Sequence, residues 1–117
     1  MEKSPNYSYC FSKRCKNPIK YIMDKMDLFS IDWFSIPIKY KLSPEFIETF
    51  KDKLNWFNIS GHQTLSEDMI RKYQDKVDWN QISMNQKMSD QFIAEFRYHL
   101  NMSYIKRFQK ILRTQDR

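Results

Sequence analysis

The chain has 117 residues and a formal net charge of +6, and 41% of its residues are hydrophobic and 16% aromatic. This length suits one small domain, and the apolar content is sufficient for a hydrophobic core. The single glycine, Gly61, excludes the Gly-rich phosphate-binding loops and disfavours hairpin-rich β structure. No apolar run is as long as a membrane span, and no signal peptide is evident. Because two cysteines do not make a disulfide framework, we expect a reducing, intracellular compartment. Together these features predict a protein that is neither secreted nor bound to membranes.

Residues 1–16 form a basic segment that we expect to be loosely ordered. Lys13, Arg14 and Lys16 lie close in sequence to aromatic residues, a combination that can bind nucleic acid or an acidic protein surface. The segment also contains Cys10 and Cys15. Since a zinc site needs about four closely spaced ligands, two free thiols are the simpler interpretation and no metal is predicted.

Residues 17–117 are predicted to form a single helical-repeat domain, which begins with a capping helix at about 18–28. Asn17 precedes Pro18 in the way that an N-cap residue precedes the first helical position. Apolar residues then follow at helical spacing, namely Ile19, Ile22, Met23 and Met26.

A 23-residue repeat then occurs three times without gaps, starting near Trp33, Trp56 and Trp79. An isoleucine follows each tryptophan after three residues, a serine after ten and an aromatic residue after seventeen. These positions are Ile36, Ile59 and Ile82, then Ser43, Ser66 and Ser89, then Phe50, Tyr73 and Phe96. Since so many positions stay in register, we predict that the apolar ones form the core of the repeat and that the tryptophans pack between copies.

Each copy is predicted to contain two helices. The serine stands at the N-cap of a helix of about three turns, followed by acidic residues in the first turn and by an apolar face. Asp32, Asn55 or Asp78 caps a shorter helical turn that begins with the tryptophan. Because such short helices cannot bury an apolar face alone, the copies are expected to stack. The predicted fold is all-α, a solenoid-like array of three repeats with degenerate capping helices at both ends.

The C-terminal residues are predicted to be helical at about 102–113. One interpretation is a truncated fourth repeat, in which Met102, Ile105, Gln109 and Ile111 keep the register. The alternative is one continuous helix from Ser89 to about Arg113. Both interpretations give an amphipathic, basic C-terminus.

The second and third copies share the pattern W-x-x-I-S, then Q, then L-S-x-x-F-I-x-x-F. It is carried in the second copy by Trp56, Ile59, Ser60, Gln63, Leu65, Ser66, Met69, Ile70 and Tyr73. It is carried in the third by Trp79, Ile82, Ser83, Gln86, Met88, Ser89, Phe92, Ile93 and Phe96. The pattern resembles tandem repeats in proteins of large (giant) DNA viruses, over roughly residues 28–101. The first copy departs from it at Pro37 and Tyr40. The resemblance implies a viral origin, in the host cytoplasm or the virion, and no particular mechanism.

No catalytic site, cofactor or small-molecule substrate is predicted. His62 and His99 occupy positions that hold lysine or asparagine in the other copies, which indicates exposure. The carboxylates do not keep register as a pair, as a general acid and base would require. Gln63 and Gln86 recur in the linker, and we expect each to bond to the backbone of its own or the adjacent copy.

The sequence therefore favours a non-enzymatic structural or protein–protein interaction scaffold that presents a helical-repeat face to a partner protein or larger assembly. At the C-terminus, Phe108, Ile111 and Leu112 are expected to form an exposed edge suited to docking or self-association. The alternative is a nucleic-acid-binding module that uses the basic ends, with Lys106, Arg107 and Lys110 at the C-terminal one. The simplest interpretation of these ends is that they only keep the protein soluble.

Overall fold

The structure is a computed structural model that describes residues 6–114. Over this range the regular elements are all helices, with no β-strand, which confirms the all-α prediction. The α-helices are α1 (Tyr7–Cys10), α2 (Pro18–Lys25), α3 (Ile36–Lys39), α4 (Pro44–Thr49), α5 (Trp56–His62), α6 (Glu67–Lys72), α7 (Trp79–Asn85), α8 (Asp90–Glu95) and α9 (Met102–Thr114). A 3₁₀ helix at Leu28–Ser30 follows α2.

The chain divides into two compact units, Met1–Leu54 and Asn55–Arg117, which we term the N-terminal and C-terminal units. The sequence pattern predicts instead a single domain from residue 17 onward. The division falls directly before the second tryptophan, so the two complete copies of the motif lie in the C-terminal unit. The N-terminal unit holds the copy with Pro37 and Tyr40, which lack the serine hydroxyl and the glutamine amide of the motif.

Residues 6–16 are an integral part of the N-terminal unit. Cys10 is fully buried. Phe11 stacks on Tyr40 with ring centroids 4.4 Å apart. The hydroxyl of Tyr7 accepts a hydrogen bond from a main-chain N–H 25 residues further on, at 2.8 Å. The expectation of a loosely ordered N-terminal segment is therefore wrong for these residues, because their aromatic side chains pack against the fold; the first five residues lie outside the described range.

The repeated serines begin the helices that follow them. The hydroxyl of each accepts the N–H three residues further on, at 3.1 Å for Ser43 and Ser66 and 3.2 Å for Ser89. These helices have only six residues each, so the prediction of three turns is wrong. A tight turn follows, as where the N–H groups of Lys53 and Leu54 both bond to the carbonyl of Phe50. The last apolar residue of the face, such as Leu54, therefore follows this turn and lies outside the helix. The helices that begin with a tryptophan, α5 and α7, are slightly longer, with seven residues each.

The repeated isoleucines and aromatics are buried, whereas the tryptophans are only half-buried. Each tryptophan ring contacts the aromatic ring seventeen residues later, with centroids about 5 Å apart; the pairs are Trp33–Phe50, Trp56–Tyr73 and Trp79–Phe96. The ring partner thus lies in the same copy. The indole N–H groups of Trp33 and Trp79 each donate to a carbonyl five residues earlier at 3.2 Å, and these bonds hold the rings at the edge of the fold.

The C-terminus forms a separate helix. α8 ends at Glu95, and α9 begins after Asn101, whose side chain accepts the N–H of Tyr104 at 3.2 Å. The alternative of one continuous helix from Ser89 is therefore wrong. The observed α9 (Met102–Thr114) lies close to the predicted bounds of 102–113.

Candidate partner-binding surface

Two serines of the motif connect successive helices of the C-terminal unit. Ser60 on α5 accepts, at its hydroxyl oxygen, the N–H of Asp78 directly before α7, at 3.0 Å. Ser83 on α7 accepts the N–H of Asn101 directly before α9, at 2.9 Å. Each serine therefore bonds to the residue directly before the next helix, α7 for Ser60 and α9 for Ser83.

Two glutamines make a second set of connections. Gln86 is buried; its amide nitrogen donates to the carbonyls of Ser60 (2.8 Å) and Gln63 (2.6 Å). Its side-chain oxygen accepts the N–H of Leu65 at 2.9 Å. Of the two predicted alternatives for Gln86, bonding to the backbone of its own or the adjacent copy, the structure shows the second.

Gln109 repeats this arrangement one copy later. It donates to the carbonyl of Gln86 at 2.6 Å and accepts the N–H of Met88 at 3.0 Å. We term the bonds made by the side chains of Ser60, Ser83, Gln86 and Gln109 the hydrogen-bond ladder. No buried side-chain nitrogen or oxygen of residues 6–114 lacks a hydrogen-bond partner. The polar residues of the motif are thus engaged in holding helices together.

Neither the histidines nor the cysteines form a reactive cluster. His62 and His99 are exposed, and the ring of His99 packs on Trp79 at 5.0 Å. Cys10 and Cys15 are free thiols, both buried. Burial, together with the neighbouring Cys15, raises the pKa of the Cys10 thiol to about 12. In the part of the chain that the structure describes, no group of three or more His, Cys, Asp or Glu side chains could hold a metal ion.

Several carboxylates take part in ion pairs on the surface. Glu95 on α8 accepts two hydrogen bonds from the guanidinium of Arg71 on α6, at 3.1 and 2.8 Å. This paired guanidinium lowers the pKa of the Glu95 carboxyl. Asp90 accepts from Arg113 at 2.9 Å. These side chains hold neighbouring helices together and do not form a cleft with contrasting acid and base.

α9 carries a continuous basic surface. The helix packs on α7, with Ile105 and Gln109 buried. Lys106, Arg107 and Lys110 are all exposed, and we term them the α9 basic face. No Asp or Glu occurs between Met102 and Thr114, so the charge of this face is not offset within the helix.

The predicted apolar edge at the same helix is only partly open. Ile111 is 51% exposed, whereas Phe108 and Leu112 are half-buried. The ring of Phe108 contacts Tyr104, and the guanidinium of Arg107 lies 5.8 Å from its centroid. The structure thus brings the three cations together on an exposed surface, with Met102 and Ile111 as the exposed large apolar side chains of the same helix.

The basic residues of the N-terminal unit are more dispersed. Lys13, Arg14 and Lys16 are exposed, but Lys20 is paired with Asp24 on α2. The aromatic rings that the sequence places near them pack against one another, as Tyr9 and Tyr21 do at 5.0 Å, and a cleft of about 260 Å³ lies beside this pair. These partly buried rings are therefore engaged with one another in the fold.

One set of exposed residues was missed by sequence reasoning. Phe34 and Phe57 directly follow the first two tryptophans and are 59% and 55% exposed. An aromatic residue at the position after the tryptophan is the signal that could have identified them, since the third copy has Asn80 there.

No helix within residues 6–114 combines the length and apolar character that crossing a bilayer requires. No protein-family model, curated protein or solved structure matches the chain.

Proposed function

We propose that this chain is a non-enzymatic scaffold in which the 23-residue repeats stack as a solenoid-like array and present an outward face to a partner protein. The observation that carries the proposal is the hydrogen-bond ladder. The bond from Gln86 to the carbonyl of Gln63 recurs as the bond from Gln109 to the carbonyl of Gln86, both at 2.6 Å. A bond that recurs with the period of the sequence is typical of stacked repeats, in which each copy contacts its neighbours.

The ladder also separates the residues that build the stack from those that can face a partner. Ser60, Ser83 and Gln86 are buried and bonded to the main chain, so the positions left for recognition are the exposed ones that differ between copies. Such a division supports a binding scaffold in preference to an enzyme, because catalysis needs polar groups directed at a substrate.

Phe57 is an exposed aromatic residue of the C-terminal unit that fits a protein partner. It lies on α5, is 55% exposed, and occupies a position that the third copy fills with asparagine. Exposed aromatic side chains are enriched in the centres of protein interfaces, where they contribute large contact areas. We therefore infer that the partner is a protein and that it contacts the outward side of α5.

The proposed origin is viral. It is supported by the motif of the second and third copies, which resembles repeats of giant-virus proteins. We accordingly propose that the scaffold acts in the host cytoplasm or as part of the virion.

Site-specific photo-cross-linking tests this function. A photoreactive phenylalanine analogue would replace Phe57 in the cells that produce the protein, and a matched variant would carry it at Gln91, an exposed position on α8. The expected result is a discrete protein adduct from position 57 that is absent from position 91. Equal labelling from both positions, or no adduct from position 57, would overturn the proposal.

A further inference from the structure

We propose that the α9 basic face binds the phosphate backbone of nucleic acid. This binding would be a second activity, distinct from the protein contact proposed for α5. We base this proposal on the residues that α9 carries at the positions through which α5 and α7 each contact the next helix.

The first of these positions is the ladder serine. Ser60 and Ser83 accept the N–H groups of the residues directly before α7 and α9, respectively. The residue 23 positions after Ser83 is Lys106, which is exposed. A lysine ammonium has three donors and no acceptor, so it cannot receive a main-chain N–H in this way. On α9, the position that corresponds to Ser83 of α7 therefore lacks the hydroxyl that would accept a main-chain N–H of a further repeat.

The residue next to the serine differs as well. It is Gly61 on α5, Met84 on α7 and Arg107 on α9, and Arg107 is exposed. The α9 surface therefore carries a second cation beside Lys106.

The third difference concerns the main chain. α5 and α7 end at His62 and Asn85, which leaves the carbonyls of Gln63 and Gln86 to accept ladder bonds. α9 continues to Thr114, so the carbonyl of Gln109 lies inside a helix, where helical geometry supplies its partner. The ladder serine and the free carbonyl are thus both missing on α9, and cations lie on the surface that would otherwise contact a further repeat.

These cations are not neutralised locally. Among the described residues, neither Lys106 nor Lys110 has a carboxylate within ion-pair distance, and Asp90, the acidic residue that contacts α9, is paired with Arg113. Lys106, Arg107 and Lys110 occupy positions i, i+1 and i+4, which lie on one side of a helix. Their positive potential is therefore summed over one turn of α9.

The composition of the surface favours a polynucleotide over an acidic protein. Lysine is depleted in the centres of protein interfaces, whereas lysine, arginine, serine and threonine supply most contacts to phosphate. Ser103 and Thr114 are exposed on the same helix, and its exposed large apolar side chains are Met102 and Ile111. Lys106 and Lys110 are separated by about 6 Å along the helix axis, which covers roughly two charges of one strand at about 3.4 Å each. Binding through phosphates alone is independent of base sequence.

The test uses fluorescence anisotropy with a labelled 20-base-pair duplex and a labelled 20-nucleotide single strand, titrated with the full chain at several salt concentrations. Three phosphate contacts predict a slope of log Kobs against log salt of about −2.7 for the duplex. The variant K106Q/R107Q/K110Q should lose at least about tenfold in affinity at low salt, with a slope close to zero. A duplex affinity and slope equal to those of the unaltered protein would overturn the proposal.

A matched control removes the same charge elsewhere in the C-terminal unit. The variant K72Q/K76Q/R97Q alters three exposed cations outside α9 and should change affinity by less than about threefold. Circular dichroism of both variants verifies that they fold. If both lose affinity equally, net charge and not the α9 basic face is responsible. Displacement of the duplex by poly-glutamate at equal charge concentration would assign the surface to acidic proteins and would also overturn the proposal. Cross-linking from position 57 should be unchanged in K106Q/R107Q/K110Q, so failure of either proposal is distinguishable from failure of the other.

Discussion

Gln86 connects two copies of the repeat through three buried hydrogen bonds to the main chain. Gln86→Ala would leave the N–H of Leu65 and the carbonyls of Ser60 and Gln63 without this partner. An unsatisfied buried polar group costs about 1–3 kcal/mol, so we expect the free energy of unfolding to fall by about 3 kcal/mol or more. Urea unfolding followed by circular dichroism measures the change.

The matched control for this substitution is Gln91→Ala, which removes the same side chain from an exposed position on α8. Surface changes of this kind alter stability by about 0.5 kcal/mol or less. Equal effects of the two substitutions would contradict the structural role of the ladder.

The Cys10 thiol should be unreactive in the folded protein. Burial excludes reagents, and because its pKa is raised to about 12, almost none of it is thiolate at pH 8. In the variant Cys15→Ser, where Cys10 is the only thiol, iodoacetamide at pH 8 should modify the protein in urea but not in native buffer. Mass spectrometry reads the result. Equal labelling rates in the two conditions would show that residues 6–16 do not pack as described.

Among the helices, the contact between α6 and α8 should depend on pH. Pairing with Arg71 lowers the pKa of Glu95 below its ordinary value of 4.5. The ionised carboxylate is therefore favoured in the folded state, and its stabilising contribution is complete above about pH 4.5 and lost as the pH falls through the lowered value. Glu95→Gln removes this contribution, so the stability difference between the two proteins should shrink on acidification from pH 6 to pH 3. Urea unfolding at several pH values measures it, and a difference that grows on acidification would contradict the pairing.

The helix starts were predictable because capping is a local interaction. Ser43, Ser66 and Ser89 each bond to an N–H three residues away, and that relation is visible in the sequence. Helix lengths were not predictable, because an apolar residue such as Leu54, eight positions after Phe46, can join the core through a turn as well as through a longer helix. The packing of residues 6–16 depends on contacts such as Phe11 with Tyr40, which are distant in the chain and leave no periodic signal.

The candidate surface was predictable to a similar degree. Lys106, Arg107 and Lys110 were identified from charge alone, since the C-terminal residues carry cations without nearby carboxylates. The ladder role of Ser60 and Ser83 was not, because their partners lie 18 residues away and a hydroxyl has many local alternatives. Once the ladder bonds of Ser60 and Ser83 are known, the 23-residue register shows that Lys106 occupies the corresponding position on α9.

At the scale of the whole molecule, α9 should prevent the chain from adding a second copy of itself end to end. Such an addition needs an acceptor at the ladder position, and Lys106 does not provide one. Two copies that met at this surface would also bring like charges together. We therefore expect a monomer of 14.5 kDa by size-exclusion chromatography with light scattering, at both low and high salt. A discrete dimer at high salt would show that screening permits the contact and that Ile111, with the half-buried Phe108 and Leu112, acts as a self-association edge. A monomer in both conditions leaves the α9 basic face available to a polyanion.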